Sequence, residues 1–238
     1  MNAHNEQFDR IAEQYDATLP AHVMAHYLQK RAAFIAAQGG RCGLALDVGC
    51  GTGVLADALA SVGWTVVGVD VSLGMLRVMQ KRGGWPVQAS ACDLPAPADT
   101  FDLVYSVAAM HHIAEPGAVR RTLRGMYRVC RPGGVIIIWD HNARNPYWPI
   151  IMARVPQDTG EERIIPVEEI NAAFAHQSEA DAHDIYYMGF VPDFAPRVLL
   201  PAFQRLERLV EAWPRLSRYL CAHNVVVVRK RGLVSEDL

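Results

Sequence analysis

No stretch of the 238 residues approaches the ~18 consecutive apolar positions of a membrane-spanning helix; the longest, around VIIIW and VVVV, have strand length. The opening MNAHNEQFDR lacks the apolar core of a secretory signal. Cysteine is scarce and unpaired in pattern: five residues, an odd number with no C-x-x-C, argue against a disulfide framework or a zinc site. Buried thiols in a reducing compartment are expected instead. No excess of one charge is present. The formal net charge is −2, and the cations, nearly all arginine, are scattered along the chain. Global charge therefore gives no case for a nucleic-acid or anionic-membrane partner. These absences predict a soluble, cytoplasmic protein, monomer or homodimer, with no nucleic-acid partner and no membrane insertion.

What is present is core-forming material. Hydrophobic residues make up 51% of the chain, enough to bury a sizeable core as one domain. A helix is predicted at 20–37, with Val23, Tyr27 and Phe34 at helical spacing, stopped by Gly39 and Gly40. Alternating units follow: strand 44–48, helix 53–61, strand 64–69, helix 73–81, strands 86–89 and 101–106, helix 118–129 and strand 134–139. Unbroken apolar strands with helices between them predict a doubly wound, mostly parallel seven-stranded α/β sheet covered on both faces. After WDHN the pattern loosens. A helix at 167–177, a strand near 183–188, a helix at 197–213 and a strand at 224–230 complete the chain. Leu199, Phe203, Leu206, Val210 and Trp213 are expected to form the buried face of the last helix. The division expected within one domain is a helical cap at 1–40, a cofactor-binding core at 41–142, and a substrate and cap region at 143–238.

The segment LALDVGCGTGVLADALA, 44–60, reads as strand, glycine-rich turn and helix start. Gly51, Gly53 and Ala56 satisfy the dinucleotide pattern G-x-G-x-x-G/A, with Asp70 at the usual distance. No Gly-Lys-Ser/Thr follows, which excludes a Walker loop. Asp47 discriminates further. A dinucleotide turn offers backbone N–H groups to pyrophosphate, and a carboxylate beside that anion would repel it. Asp47 suits a ligand with positive charge and no phosphate there, such as S-adenosylmethionine.

LDVGCGTG (46–53), VVGVDVS (66–72), ACDLP (91–95), FDLVYSVAAMHHI (101–113) and MYRVCRPGGVIIIWD (126–140) resemble, in order and spacing, the motifs of the Rossmann-like S-adenosylmethionine-dependent methyltransferases. FDRIAEQYD (8–16) is similar to their opening helix. The resemblance covers roughly residues 5–142 and implies the cofactor residues. Gly49, Cys50, Gly51 and Gly53 would meet the methionine portion, with Asp47 near it. Asp70 would accept the ribose hydroxyls, with Val71 beside it. Met75 would pack on adenine, and Asp93, with the backbone of Cys92 or Leu94, would read the adenine amino group. Tyr15 and Lys30 are candidates for the cofactor carboxylate. Val107 and His112 close the site at the fourth strand. Ser72 is the expected cap of the helix that follows Asp70.

His111 and His112, at the mouth of the fourth strand, and His141, at that of the fifth, are candidate catalytic residues; an imidazole can take a proton near neutral pH. Asp140, His141 and Asn142 can also bind substrate. Asp with Asn hints at a divalent-metal site, but no third ligand is identifiable, and no metal is expected. Tyr147, Trp148, Met152 and Arg154 are candidate substrate contacts in the apolar stretch NPYWPIIMARVP (145–156), and Arg163 is a further candidate for an anionic group. The Asn/Asp-Pro-Pro-Tyr segment of amino-methylating relatives and the Pro-Cys nucleophile of cytosine-C5 enzymes are both missing. A small-molecule methyl acceptor is the expectation. Two rivals stand beside it: a nicotinamide-dependent oxidoreductase, supported only by Gly51, Gly53 and Ala56, and a cofactor-binding partner protein without catalysis.

Overall fold

Valine and isoleucine dominate the strand segments, and β-branched side chains suit a pleated surface buried on both sides. The computed structural model describes residues 3–113, 115–148, 162–175, 177 and 181–232. Seven strands form one sheet: β1 Leu44–Val48, β2 Thr65–Asp70, β3 Trp85–Gln88, β4 Phe101–Val107, β5 Cys130–His141, β6 Ala182–Met188 and β7 His223–Arg229. Their order is β3-β2-β1-β4-β5-β7-β6. β1 pairs in parallel with β2 and β4, β2 with β3, and β4 with β5, while β7 runs antiparallel to both β5 and β6. Chain order reverses between β1 and β4, which opens a crevice at the carboxyl ends of those strands.

Helices cover both faces: α1 Ala3–Ile11, α2 Ala21–Gly39, α3 Val54–Ala60, α4 Leu73–Lys81, α5 Met110–Ile113, α6 Pro116–Val129, α7 Val167–Ala175, α8 Leu200–Glu211 and α9 Pro214–Leu220. Alternate strand residues divide between two cores. Leu46, Val104, Ile136 and Val226 pack with Leu123 of α6 and Phe174 of α7. Ala45, Tyr105, Ile137 and Val227 pack with Ile35 of α2 and Leu59 of α3. Val225 to Val228 are all buried, and each removes enough apolar surface from water to contribute about 1.5–3 kcal/mol.

The last third departs from its periodicity. Two helices, not one, lie between β6 and β7, and the predicted buried face holds only at Phe203 and Val210. Leu199, Leu206 and Trp213 are exposed, whereas Phe203 packs against Val23 and Tyr27 of α2 and Glu207 is buried. Glu207 Oε2 meets Lys30 Nζ at 2.8 Å and His26 Nε2 at 2.9 Å, and Oε1 accepts from the N–H groups of Phe190 and Val191 at 2.7 and 3.3 Å. Glu211 accepts from Gly189 N at 2.8 Å and pairs with Lys30. A hydrophobicity period cannot register two acids turned inward to compensated partners.

Candidate active site

The crevice is built on the turn after β1. Gly49, Gly51 and Gly53 have φ of 76°, 51° and 73°, the left-handed region that glycine enters without cost from a Cβ. Their surroundings differ. A Cβ on Gly49 would lie 2.5 Å from that of Ala109, and one on Gly53 would lie 2.4 Å from Met79 Cγ. A Cβ on Gly51 would meet nothing within 4 Å among the described residues, so a ligand can approach that side of the backbone.

Two carboxylates flank this turn. Asp47 is buried, and burial pushes its pKa up to about 7; Asp70 adds to the rise and the Tyr105 hydroxyl opposes it. Asp70, at the end of β2, accepts from Gly51 N and from Ser72 N, both at 2.9 Å, so one carboxylate ties the turn to the start of α4. Burial raises its pKa, against these hydrogen bonds. Ser72 is the helix cap, accepting from Met75 N at 3.2 Å. A pyrophosphate would enter a site already containing two poorly solvated acids; a cationic ligand would be favoured by both.

The N-terminal segment is docked on this edge. Asp9 Oδ1 accepts from Ser72 Oγ at 2.6 Å and from Gly74 N at 2.7 Å, and Asp16 accepts from Thr52 Oγ1 at 2.8 Å. Gly74 is required by the approach of α1, since a Cβ there would sit 2.7 Å from Asp9 O. Phe8 then lies edge-on to Tyr15 and to His112, with centroids 6.1 and 5.2 Å apart.

Across the crevice, β4 ends in strain. Ala108 has φ 52°, and its N–H is held by Trp139 O at 2.8 Å. A left-handed non-glycine residue costs about 1–3 kcal/mol and tends to mark a functional site. It turns the chain into α5, a single helical turn absent from the predicted elements, and aims His111 at β5. Asp140 holds His111 by the ring Nδ1 at 2.7 Å and by the backbone N–H at 3.1 Å. Asp140 is buried, yet His111 and His141 keep its pKa well below the ordinary carboxylate range. It is therefore an acceptor at Nδ1, which sets the tautomer of His111 with its proton on Nδ1.

The rings form a column. His112 contacts His111 with centroids 4.0 Å apart, His111 stacks on His141 at 4.1 Å, and His141 stacks on Trp148 at 3.6 Å. His223 closes the far side, 5.7 Å from both His141 and Trp148. Burial pushes His141 down to about 3 and His223 well below its ordinary value. Burial thus disfavours proton uptake at His141, which weighs against its expected catalytic role.

His111, Asp140 and His141 each bring a ligand atom within 4.8 Å of the others. They do not suit a metal. Ring planes only 20° apart and stacked cannot both contain one ion lying between them, and Asp140 Oδ1 already accepts from the His111 ring and from His141 N at 2.7 Å.

Other expected residues divide. Lys30 is engaged by Glu207 and Glu211, not presented to the glycine turn. Its neighbour Arg31 faces inward instead: its guanidinium lies 5.5 Å from the Tyr27 ring and 5.9 Å from that of Trp139, and it interacts electrostatically with Tyr15 and Asp140. Burial lowers its pKa. No local pattern signals this, because Lys30 and Arg31 differ only in which side of α2 they occupy. Met75 is fully buried and is core in this structure. Val71 and Asp93 are exposed, Cys92 N is taken by Ser90 Oγ at 3.2 Å, and Leu94 is buried. Val107 packs at the edge of the core beneath α2. The Asn142 amide is engaged within the fold: it donates to Arg218 O and Cys221 O at 3.0 and 2.9 Å and pins α9. Arg163 is held by Glu169 through two bonds of 2.7 and 2.9 Å. Trp148 is in the column while Tyr147 is exposed. Met152 and Arg154 lie outside the described residues.

An open α/β sheet with a glycine turn at its switch point and an acid ending the next strand is a Rossmann-like nucleoside-binding architecture. Residues 46–138 match the family model described as a methyltransferase domain. The chain is 38% identical over 144 residues, 56% of its length and 56% of the relative's, to a demethylmenaquinone methyltransferase of Symbiobacterium thermophilum. It is 28% identical to another of that name from Clavibacter sepedonicus over 80% of this chain and 68% of that one. A SAM-dependent methyltransferase structure from Archaeoglobus fulgidus superposes with TM-score 0.66 at 16% identity, covering 87% of this chain and 94% of that one. The fold is that of the class I, Rossmann-like S-adenosylmethionine-dependent methyltransferases, and the residues matched to the methyltransferase-domain model, 46–138, span its cofactor-binding strands. The alignment spans little more than half the length of the Symbiobacterium relative, 56%. No helix among the described residues is long and apolar enough to cross a membrane.

Proposed function

We propose that the protein methylates a small, ring-bearing acceptor and that His111, held by Asp140, removes the acceptor's proton. One observation carries the reading. The His111–Asp140 pair stands beside the glycine turn, with Ala109 packed against Gly49, so a proton acceptor and a cofactor cradle share one crevice. S-adenosylmethionine, when bound, supplies an electrophilic methyl group on a sulfonium.

The residues that fit it are Asp47 beside the cationic portion, the open backbone at Gly51, and Asp70 toward the ribose. Arg31, with Tyr15, is the cation suited to the carboxylate. His111 Nε2 takes the proton from the acceptor, and Asp140 stabilises the imidazolium that forms. Holding acceptor and methyl in line is the larger part of the task, since positioning alone supplies several kcal/mol. Phe8 and His112, beside His111, give the acceptor site aromatic walls that suit a planar ring. Relatives named for demethylmenaquinone methylation agree with such an acceptor.

The test has two parts. Calorimetric titration should show S-adenosylmethionine and its demethylated product binding in the micromolar range, with NAD far weaker. Labelled methyl transfer to a panel of hydroquinones and phenols should then depend on His111. Tight NAD binding without a response to S-adenosylmethionine overturns the reading. Cofactor binding with no transfer to any acceptor supports the non-catalytic alternative.

A further inference from the structure

The chain between β6 and β7 carries a surface of restricted composition. Every exposed residue from Phe194 to Leu220 is either an arginine or an aliphatic, aromatic or proline residue; no exposed acid, amide, serine or threonine interrupts them. The apolar members are large. Phe194 is 81% exposed, Val198 82%, Leu209 64% and Trp213 65%. Singly exposed apolar residues need no explanation, but a run of this length does.

The arginines are Arg197, Arg205, Arg208, Arg215 and Arg218, and none is in ion-pair contact with a carboxylate among the described residues. α8 does contain acids, Glu207 and Glu211, but both point inward to Lys30 and the backbone of residues 189–191. The fold thus segregates charge. Negative groups are turned under the helix, and a positive, apolar face is turned out, in a chain whose net charge is −2.

We propose that residues 194–220 dock the protein peripherally on an anionic lipid surface. Arginine and tryptophan beside leucine is the composition of helices that lie in a membrane interface, with apolar groups in the acyl boundary and guanidinium groups at the phosphates. Charge decides between occupants. A second copy of this face would bring five arginines against five with no exposed acid of residues 194–220 to receive them, and Glu168, which acts on Arg218, is already paired with Arg144, whereas anionic headgroups are complementary. Whole-chain charge hides the feature because the acids lie elsewhere. Docking here is independent of methyl transfer, and none of these exposed residues belongs to the crevice.

The full-length protein would be floated with vesicles of phosphatidylcholine alone and with vesicles in which about a third is phosphatidylglycerol, at low and high salt. The protein should float with the anionic vesicles only and be released as salt rises. Tryptophan emission should shift to the blue on binding, and Trp213→Phe should remove most of that shift. Arg205→Glu with Arg208→Glu should weaken partitioning about tenfold or more, and Leu209→Glu should weaken it too. Unchanged far-ultraviolet circular dichroism and melting temperature would show both variants folded. No flotation at low salt overturns the proposal, as does flotation indifferent to both variants. A concentration-dependent dimer that Leu209→Glu dissolves also overturns it, by making the face a self-interface.

Discussion

Asp140 holds His111 by both its ring Nδ1, at 2.7 Å, and its backbone N–H, at 3.1 Å, across the mouths of β4 and β5. One buried carboxylate therefore fixes the position, rotamer and tautomer of the imidazole at once. His111→Ala should lower turnover by about two to four orders of magnitude with cofactor Kd nearly unchanged. Asp140→Asn should lower it too, with an altered acid limb of the pH–rate profile. An equal loss of cofactor binding in His111→Ala would instead make the pair structural.

Asp47 predicts a pH dependence of cofactor binding. Its pKa of about 7 means that the ionised form, which a sulfonium or ammonium prefers, grows as pH rises through neutrality. Affinity for S-adenosylmethionine should tighten between about pH 6 and pH 8, by at most about tenfold per unit, and calorimetry in buffers of different ionisation enthalpy should show proton release. Asp47→Asn should flatten the profile. A flat wild-type profile would remove Asp47 from cation recognition.

Lys30 and Arg31 should separate cleanly. Lys30→Met leaves Glu207 with one fewer cation in a buried site and should destabilise the fold by about 3 kcal/mol in denaturant titration. Its cofactor Kd should stay near wild type. Arg31→Met should weaken cofactor binding about tenfold or more, the cost of one lost charged hydrogen bond. The reverse pattern would restore Lys30 to the cofactor site.

His141 predicts acid lability. Its folded pKa of about 3 lies below the ordinary 6.5, so the unfolded chain takes up a proton first as pH falls. The stability it contributes is fully present above about pH 6.5 and is lost as pH falls toward about 3. His141→Phe keeps a ring between His111 and Trp148 and cannot protonate. Relative to wild type, its unfolding free energy should improve on acidification by up to about 1.4 kcal/mol per pH unit. Parallel stability curves would contradict the assignment.

Gly74 tests the docking of α1. Gly74→Ala drives a Cβ to 2.7 Å from Asp9 O, backbone against backbone, so α1 must shift. Proteolysis within the first twenty residues should speed up, and cofactor release should quicken if Phe8 and Tyr15 wall the crevice. An unchanged cleavage rate would show that α1 accommodates the methyl group.

The parts governed by local chemistry can be read directly from the residues. β1 and α4 fall where strand and helix patterns place them, at 44–48 and 73–81, because alternation, glycine breaks and the Ser72 cap act over a few residues. The glycine turn, Asp47 and Asp70 were legible for the same reason. Tertiary structure decided the rest. Only the pairing of β4 with β5 puts His111 on Asp140, 29 residues away, and only the docking of α8 on α2 sends Lys30 to Glu207 while turning Arg31 inward. Side-chain direction around a helix is fixed by what packs against it. A buried acid such as Glu207 is tolerable only where distant donors meet it, so the outward face of α8 could be assigned only once those donors were in place.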